Sequence, residues 1–357
     1  MSNFLQLDDG QELPLMWLRD SCPCLGCIHP SGQRLLDPAT IPADLAVQAW
    51  SVNATQLHVR WAPDGHMSEY ALDALVDSPS TRATTLWGHE AQRDLPTATH
   101  TAIVDRDAEG RAAMRVWLRG VDQMGCGLLR GVPLADGEVA RVAELFAHVR
   151  VTNYGRFFDV RSVVDPTNLA YTSLGLPAHT DNPYRDPVPT LQLLHCLQSS
   201  ASGGDNVLVD GWSVAEQVRE NDLQGFRLLA RHAVAFRYVD ADADISTTLP
   251  VIELDDRGQV RSVRFNARSM QPPRLDPDAS ADWYRAYTLF ARLLADPANQ
   301  IHLRLDPGDL FIVDNRRVLH GRTAYSATGG TRHLQGCYAD IDGMRSTLAV
   351  LEREVRR

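Results

Sequence analysis

His179-Thr180-Asp181 sets an imidazole and a carboxylate two positions apart, and His320 follows far downstream. On an extended strand, positions i and i+2 point to the same face, so this pair could share one ion. Two histidines and one carboxylate on one face of an octahedral ion leave three positions open, the ligand set of non-haem iron(II) oxygenases. An H-x-D string alone is common in polar loops, and a lone histidine is often just packed or solvated. Arg332, trailing the second histidine, sharpens the pattern. A guanidinium there could fork onto a carboxylate through two charge-assisted hydrogen bonds.

A second cluster lies near the start. Cys22, Cys24 and Cys27 crowd one loop, while Cys126, Cys196 and Cys337 are scattered. A disulfide framework would use distributed pairs, so the cluster reads as a metal site. Three thiolates and a histidine suit tetrahedral zinc, closed and therefore structural. His29 and His66 are the candidates for the fourth ligand. His29 is close enough in sequence that bending it round the ion is difficult.

The elements that position these groups follow from periodicity. LHVRWA (57–62) alternates like a half-buried strand, and PDGH (63–66) is a turn. Asp136 is expected to cap a helix with an apolar face of Val139, Val142, Leu145, Phe146 and Val149. Ser213 and Glu216 suit a capping box, and a third helix is expected over 283–295. Strands are expected at 190–197, 206–210, 301–305, 310–315 and 334–340, with a turn at 306–309. The polar stretch 91–100 reads as a linker. The expected class is α+β: a β-sandwich or barrel with covering helices, preceded by a small β-rich lobe. The expected boundaries are 1–95 and 96–357.

The chain has 357 residues, 44% of them apolar, enough for one large core or two smaller ones. Its net charge of −10 disfavours nucleic acid as a partner, although a local basic pocket could still take a small anion. The first residues lack a basic start and an apolar stretch, and no run approaches a membrane span. A cytoplasmic protein is expected.

The chain resembles the iron(II)- and 2-oxoglutarate-dependent oxygenases of the γ-butyrobetaine dioxygenase and 2-(trimethylamino)ethylphosphonate dioxygenase group, within the taurine-dioxygenase-like superfamily. The resemblance is carried by LPLMWLRDSCPCLGC (13–27), PDGHMSEY (63–70), NLAYTSLGLPAHTD (168–181), LQLLHCL (191–197), GGDNVLVDGW (203–212), DNRRVLHGR (314–322) and RHLQGCYADIDG (332–343). It implies a double-stranded β-helix (jelly-roll) core. It implies Fe(II) on His179, Asp181 and His320, with 2-oxoglutarate chelating the iron and its far carboxylate on Arg332. Dioxygen is then consumed, succinate and CO₂ are released, and a substrate C–H is hydroxylated. Ascorbate as reductant and a homodimer belong to the same implication. PDGH matches the family's fourth zinc ligand, so His66 is preferred over His29.

Family members bind trimethylammonium compounds, whose quaternary nitrogen cannot donate hydrogen bonds, so recognition relies on aromatic faces and their quadrupoles. Tyr154, Phe158, Tyr171 and Tyr338 match the cage positions, Phe158 standing where some relatives have tryptophan. Asn168 matches an asparagine that holds the γ-butyrobetaine carboxylate. At the second such position this chain has Ala267, between Asn266 and Arg268. An arginine suits a more highly charged anion, which favours 2-(trimethylamino)ethylphosphonate, giving the 1-hydroxy product, over γ-butyrobetaine, giving L-carnitine. Trimethyllysine hydroxylation is more distant. A non-catalytic quaternary-ammonium binding module and a zinc-dependent nucleic-acid reader are the competing classes. The intact triad with Arg332 disfavours the first, and the acidic charge disfavours the second.

Overall fold

The computed structural model describes residues 3–8, 10–75, 84–161, 172–326 and 330–355. The chain divides into two compact units, Met1–Thr81 and Arg82–Arg357.

In the first unit, strands β1 (Phe4–Gln6) and β2 (Glu12–Pro14) form a short ribbon that leads into helix α1 (Leu15–Asp20). Strands β3 (Ala46–Val52), β4 (Gln56–Ala62) and β5 (Met67–Ala71) form an antiparallel sheet, closed by the short helix α2 (Leu72–Leu75). The alternation expected over 57–62 is present: Leu57, Val59 and Trp61 point inward onto Leu15, Leu18 and Tyr70. The Tyr70 hydroxyl donates to the Leu18 carbonyl at 2.5 Å, tying sheet to helix.

The second unit is mixed α/β. In order come β6 (Thr97–Thr99), α3 (His100–Val104), α4 (Ala108–Met124), β7 (Cys126–Arg130), α5 (Glu138–Glu144), β8 (Phe158–Val160) and β9 (Leu176–His179). There follow β10 (Leu191–Ser199), β11 (Asn206–Asp210), α6 (Gly211–Asn221), α7 (Leu223–Arg231), β12 (Ala233–Val239) and β13 (Asp244–Pro250). Then come β14 (Ile252–Leu254), β15 (Val260–Val263), α8 (Pro277–Ala295), β16 (Gln300–Leu303), β17 (Leu310–Asp314), β18 (Val318–Arg322), β19 (Arg332–Ala339) and α9 (Ile341–Val355). Among the described residues, one sheet has the order β6-β7-β17-β10-β19-β8 and a second the order β16-β11-β18-β9.

Period-two alternation sorts the side chains into layers. Leu191 and Leu193 on β10 and Cys337 and Ala339 on β19 face α4, α5 and α9. Leu194, Cys196 and Leu334 from the same strands face inward, onto Leu208 of β11 and Val318 of β18. The opposite faces of β11 and β18, Val207, Val209 and Leu319, carry α6, α7 and α8. The two sheets therefore share an inner core, and each is sealed outside by helices.

Several local expectations change. Asp136 is not the cap of α5: Gly137 occupies that position, in the left-handed region at φ 74°, and the Asp136 carboxylate accepts from Gln335 instead. The helix stops at Glu144, so Val149 lies beyond it. Ser213 lies inside α6, because Asp210 already caps its first turn by accepting from the Trp212 N–H. The helix expected over 283–295 begins at Pro277, capped by Asp276. The stretch 91–100 is not a linker: Thr97–Thr99 pairs in parallel with β7, which draws it into the second unit's sheet. The expected boundary at 95 accordingly moves upstream.

Candidate active site

His179 closes β9, and His320 sits mid-way along β18, its direct cross-strand partner. Asp181 is not on the strand, as the i, i+2 pattern had it. It follows one residue after Thr180, whose N–H donates to the Phe265 carbonyl, and precedes Asn182 at φ 50°. The chain thus leaves the sheet between the two residues, yet still brings them together. The ligand atoms of His179, Asp181 and His320 all lie within 4.8 Å of one another, a group that could hold a metal ion. His179 Nε2 is 3.4 Å from one Asp181 carboxylate oxygen, and His320 Nε2 is 3.8 Å from the other.

The donor set fits a metal. His179 Nδ1 lies 2.9 Å from the Pro177 carbonyl, a contact that places the ring proton on Nδ1 and leaves the Nε2 lone pair facing Asp181. Burial pushes His320 down to about 3, so its ring is neutral at physiological pH. Burial alone would raise the Asp181 carboxyl, but the His320 and His179 rings and the Tyr338 hydroxyl outweigh it and hold the group well below the usual range. A neutral imidazole and an ionised carboxylate are the forms in which these side-chain types bind a cation.

The triad opens into a cavity of about 430 Å³. Tyr154, Phe158 and Tyr338 line it, with ring centroids 6.0 Å apart for the first pair and 5.1 Å for the second. Tyr338 also has its hydroxyl committed, donating to Asp181 at 2.8 Å. Asn168 and Tyr171 lie outside the described residues. Sequence reasoning missed Tyr184 and Tyr238, which stack at 5.1 Å on the cavity wall, with Tyr184 OH 3.1 Å from Tyr154 OH. It also missed Gln192, although the alternation of strand 190–197 would have put it on the inner face beside Leu194.

Arg332 lies in the same cavity and is buried. Its Nε donates to the Gly204 carbonyl at 3.1 Å and its Nη2 to Asn206 Oδ1 at 3.0 Å, so the guanidinium plane is fixed. Gly204 has φ +77°, and a Cβ there would meet Arg332 Cδ at 2.9 Å, so only glycine suits the position. Burial pulls Arg332 down to about 10, which still leaves it protonated at neutral pH. Arg268 lines the cavity with an exposed side chain, and no described residue accepts from its guanidinium. Its neighbour Asn266 is buried and donates to the Thr180 carbonyl, while Ala267 is exposed.

In the first unit Cys22, Cys24, Cys27 and His66 form a second group that could hold a metal ion. His66 Nε2 lies 3.3, 3.8 and 3.7 Å from the three sulfurs in that order. His29 instead pairs with the Ser31 hydroxyl at 2.9 Å, which removes it from the set.

A family model described as Taurine catabolism dioxygenase TauD, TfdA family matches residues 80–338, and one described as Gamma-butyrobetaine hydroxylase-like, N-terminal matches residues 5–76. Gamma-butyrobetaine dioxygenase of Pseudomonas sp. (strain AK-1) is 37% identical, covering 97% of this chain and 92% of that protein. The Homo sapiens protein of that name is 31% identical, covering 99% and 95%. Trimethyllysine dioxygenase of Meyerozyma guilliermondii is 30% identical, covering 94% and 89%. Among solved structures, a putative alpha-ketoglutarate-dependent taurine dioxygenase from Burkholderia xenovorans matches in fold with a TM-score of 0.52 at 14% identity, covering 72% of this chain and 92% of that one.

Proposed function

Because this chain belongs to the TauD, TfdA family and is an iron(II)- and 2-oxoglutarate-dependent dioxygenase, we propose that it hydroxylates a small trimethylammonium carboxylate, γ-butyrobetaine, to L-carnitine. The single observation that carries this substrate is the 37% identity to a γ-butyrobetaine dioxygenase along nearly the whole of both chains. It reverses the preference for the phosphonate that Arg268 suggests in the sequence. The convergence of the triad, Arg332 and three aromatic rings in one cavity agrees with it.

His179, Asp181 and His320 would hold the iron, and Arg332 the far carboxylate of 2-oxoglutarate through a fork already oriented by Gly204 and Asn206. When bound, iron and 2-oxoglutarate supply the oxidation of a substrate C–H by dioxygen, with loss of succinate and CO₂. Tyr154, Phe158 and Tyr338 would face the quaternary nitrogen, which accepts and donates no hydrogen bonds and is held by ring quadrupoles. Val160, Leu176, Leu194 and Leu334 add an apolar patch to a wall that elsewhere carries polar side chains such as Asn206, Asn266 and Arg268. Asn168 and Tyr171 keep the roles that the resemblance gives them, carboxylate and cage.

The two sheets of the second unit are read as a double-stranded β-helix, and the first unit as a lobe closed by zinc on Cys22, Cys24, Cys27 and His66. Ascorbate, a homodimer and a cytoplasmic setting rest on the resemblance alone. Among the described residues no helix is long and apolar enough to cross a membrane.

A second reading is favoured by Arg268. Its guanidinium lines the cavity with no acceptor among the described residues, which suits a phosphonate, a group that offers three oxygens and up to two charges. Succinate formation measured with γ-butyrobetaine and with its phosphonate analogue separates the two. Carnitine formed with tight coupling to succinate supports the carboxylate. Turnover with the phosphonate alone, lost in Arg268→Ala, would replace it.

A further inference from the structure

Asp181 is gripped from several sides. Asn315 accepts the Asp181 N–H at 2.8 Å through Oδ1 and donates Nδ2 to the Asp181 carbonyl at 2.9 Å, which fixes the backbone. The carboxylate is held separately. Gln192 Nε2 donates to Asp181 Oδ2 at 2.6 Å, and Tyr338 OH donates to the same oxygen at 2.8 Å. A carboxylate cannot donate, so the Gln192 amide must present its NH₂ there. Gln192 on β10 and Tyr338 on β19 are direct cross-strand partners, so sheet register alone delivers both donors to one point.

We propose that Gln192 and Tyr338 are positioning residues that make Asp181 a one-oxygen metal ligand, through Oδ1. The proposal rests on the reading of the triad as an iron site. Each carboxylate oxygen has about two lone-pair directions. Two short donors on Oδ2 use both and leave Oδ1, the oxygen facing His179 Nε2, to the metal. A carboxylate without these two donors would be free to turn, and would present Oδ1 to a metal ion in only some of its orientations. The pair thus orients the metal-binding oxygen in advance, and Tyr338 acts on the metal ligand as well as facing Phe158.

The test uses Mn(II) as a redox-inert probe, titrated by electron paramagnetic resonance against the parent, Tyr338→Phe, Gln192→Met and His179→Ala. Tyr338→Phe keeps the ring and removes only the hydroxyl, and Gln192→Met keeps the side-chain length. Both are expected to bind Mn(II) roughly 10- to 100-fold more weakly, the usual effect of losing a partner of a metal ligand. Gln192→Met should also lower kcat with little change in substrate KM. Parent-like Mn(II) affinity in both variants, with affinity lost in His179→Ala, overturns the positioning role and leaves the iron site standing. Parent-like affinity in His179→Ala as well overturns the iron site itself. A raised substrate KM in Tyr338→Phe with unchanged Mn(II) affinity would confine Tyr338 to the cage.

Discussion

Arg19 donates Nη1 to the Cys27 sulfur across 3.4 Å, while its Nη2 lies 3.8 Å from the Asp64 carboxylate. Arg19 is buried on α1, and Asp64 in turn accepts the His66 backbone N–H at 3.1 Å. One guanidinium therefore touches the loop that carries the thiolates and the turn that carries the histidine. Three thiolates and a neutral imidazole around a divalent ion leave one net negative charge, which Arg19 would offset. Replacing Arg19 by Met is expected to weaken zinc retention about tenfold, read by competition with a coloured chelator. Unchanged retention would limit Arg19 to packing.

Gly336 lies opposite Phe158 on neighbouring strands, and a Cβ there would meet Phe158 Cζ at 2.6 Å and Leu194 Cδ2 at 2.8 Å. Gly336→Ala should push the Phe158 ring out of register with Tyr338. Overpacking of this kind costs about 1–3 kcal/mol. The substrate KM should rise while the 2-oxoglutarate KM stays constant, a split that steady-state kinetics with each varied in turn would show.

His195 is fully buried on the helix-facing side of β10, away from the triad. Burial pushes it down to about 4, against a partial opposing pull from Glu138. The unfolded chain binds its proton near the ordinary value of about 6.5. The folded state therefore holds fewer protons between these values, so stability is complete above about 6.5 and falls as pH drops toward 4. The loss is about 3 kcal/mol at most. Urea unfolding across that range should show a shallower acid slope for His195→Leu than for the parent. Parallel slopes would assign the acid loss to other groups.

Arg317 and Asp210 form a buried pair at 2.7 Å, and Arg317 also donates to the Gln123 carbonyl at 2.8 Å and to that of Thr85. Removing one partner strands a charge without water. Arg317→Met is expected to cost about 3–5 kcal/mol in chemical denaturation, whereas breaking an exposed pair such as Arg237–Asp244, screened by solvent, should leave stability nearly unchanged.

The strands of the inner core were legible because uninterrupted or alternating apolar runs at 206–210 and 310–314 have no other use. The triad and Arg332 were legible as local strings. Helices α4 and α9 carry the helical spacing too, in Met114, Trp117, Leu118 and Val121 and in Met344, Leu348 and Leu351, but glycines interrupt both. The structure explains them by close approach: a Cβ at Gly120 would meet Pro96 Cβ at 2.7 Å, and one at Gly343 would meet Ala147 Cα at 3.1 Å. Glycines that read as breakers are there to make room. The Gln192–Tyr338 grip on Asp181 could not be read at all, because it depends on the register of strands distant in sequence. Asp136 misled because its carboxylate is spent on Gln335 and not on the nearest helix.

The exit of the chain from β9 between His179 and Asp181 has a mechanical meaning. His179 and His320 belong to one sheet, while Asp181 is bonded to Gln192 and Tyr338 of the other. An ion gripped by all three is a rivet through both layers. Its binding energy then counts toward folding by mass action, RT ln(1 + [M]/Kd) for free metal at concentration [M]. Stripping the metal would loosen the sandwich where the cavity opens, and melting temperature would report occupancy without any turnover being measured.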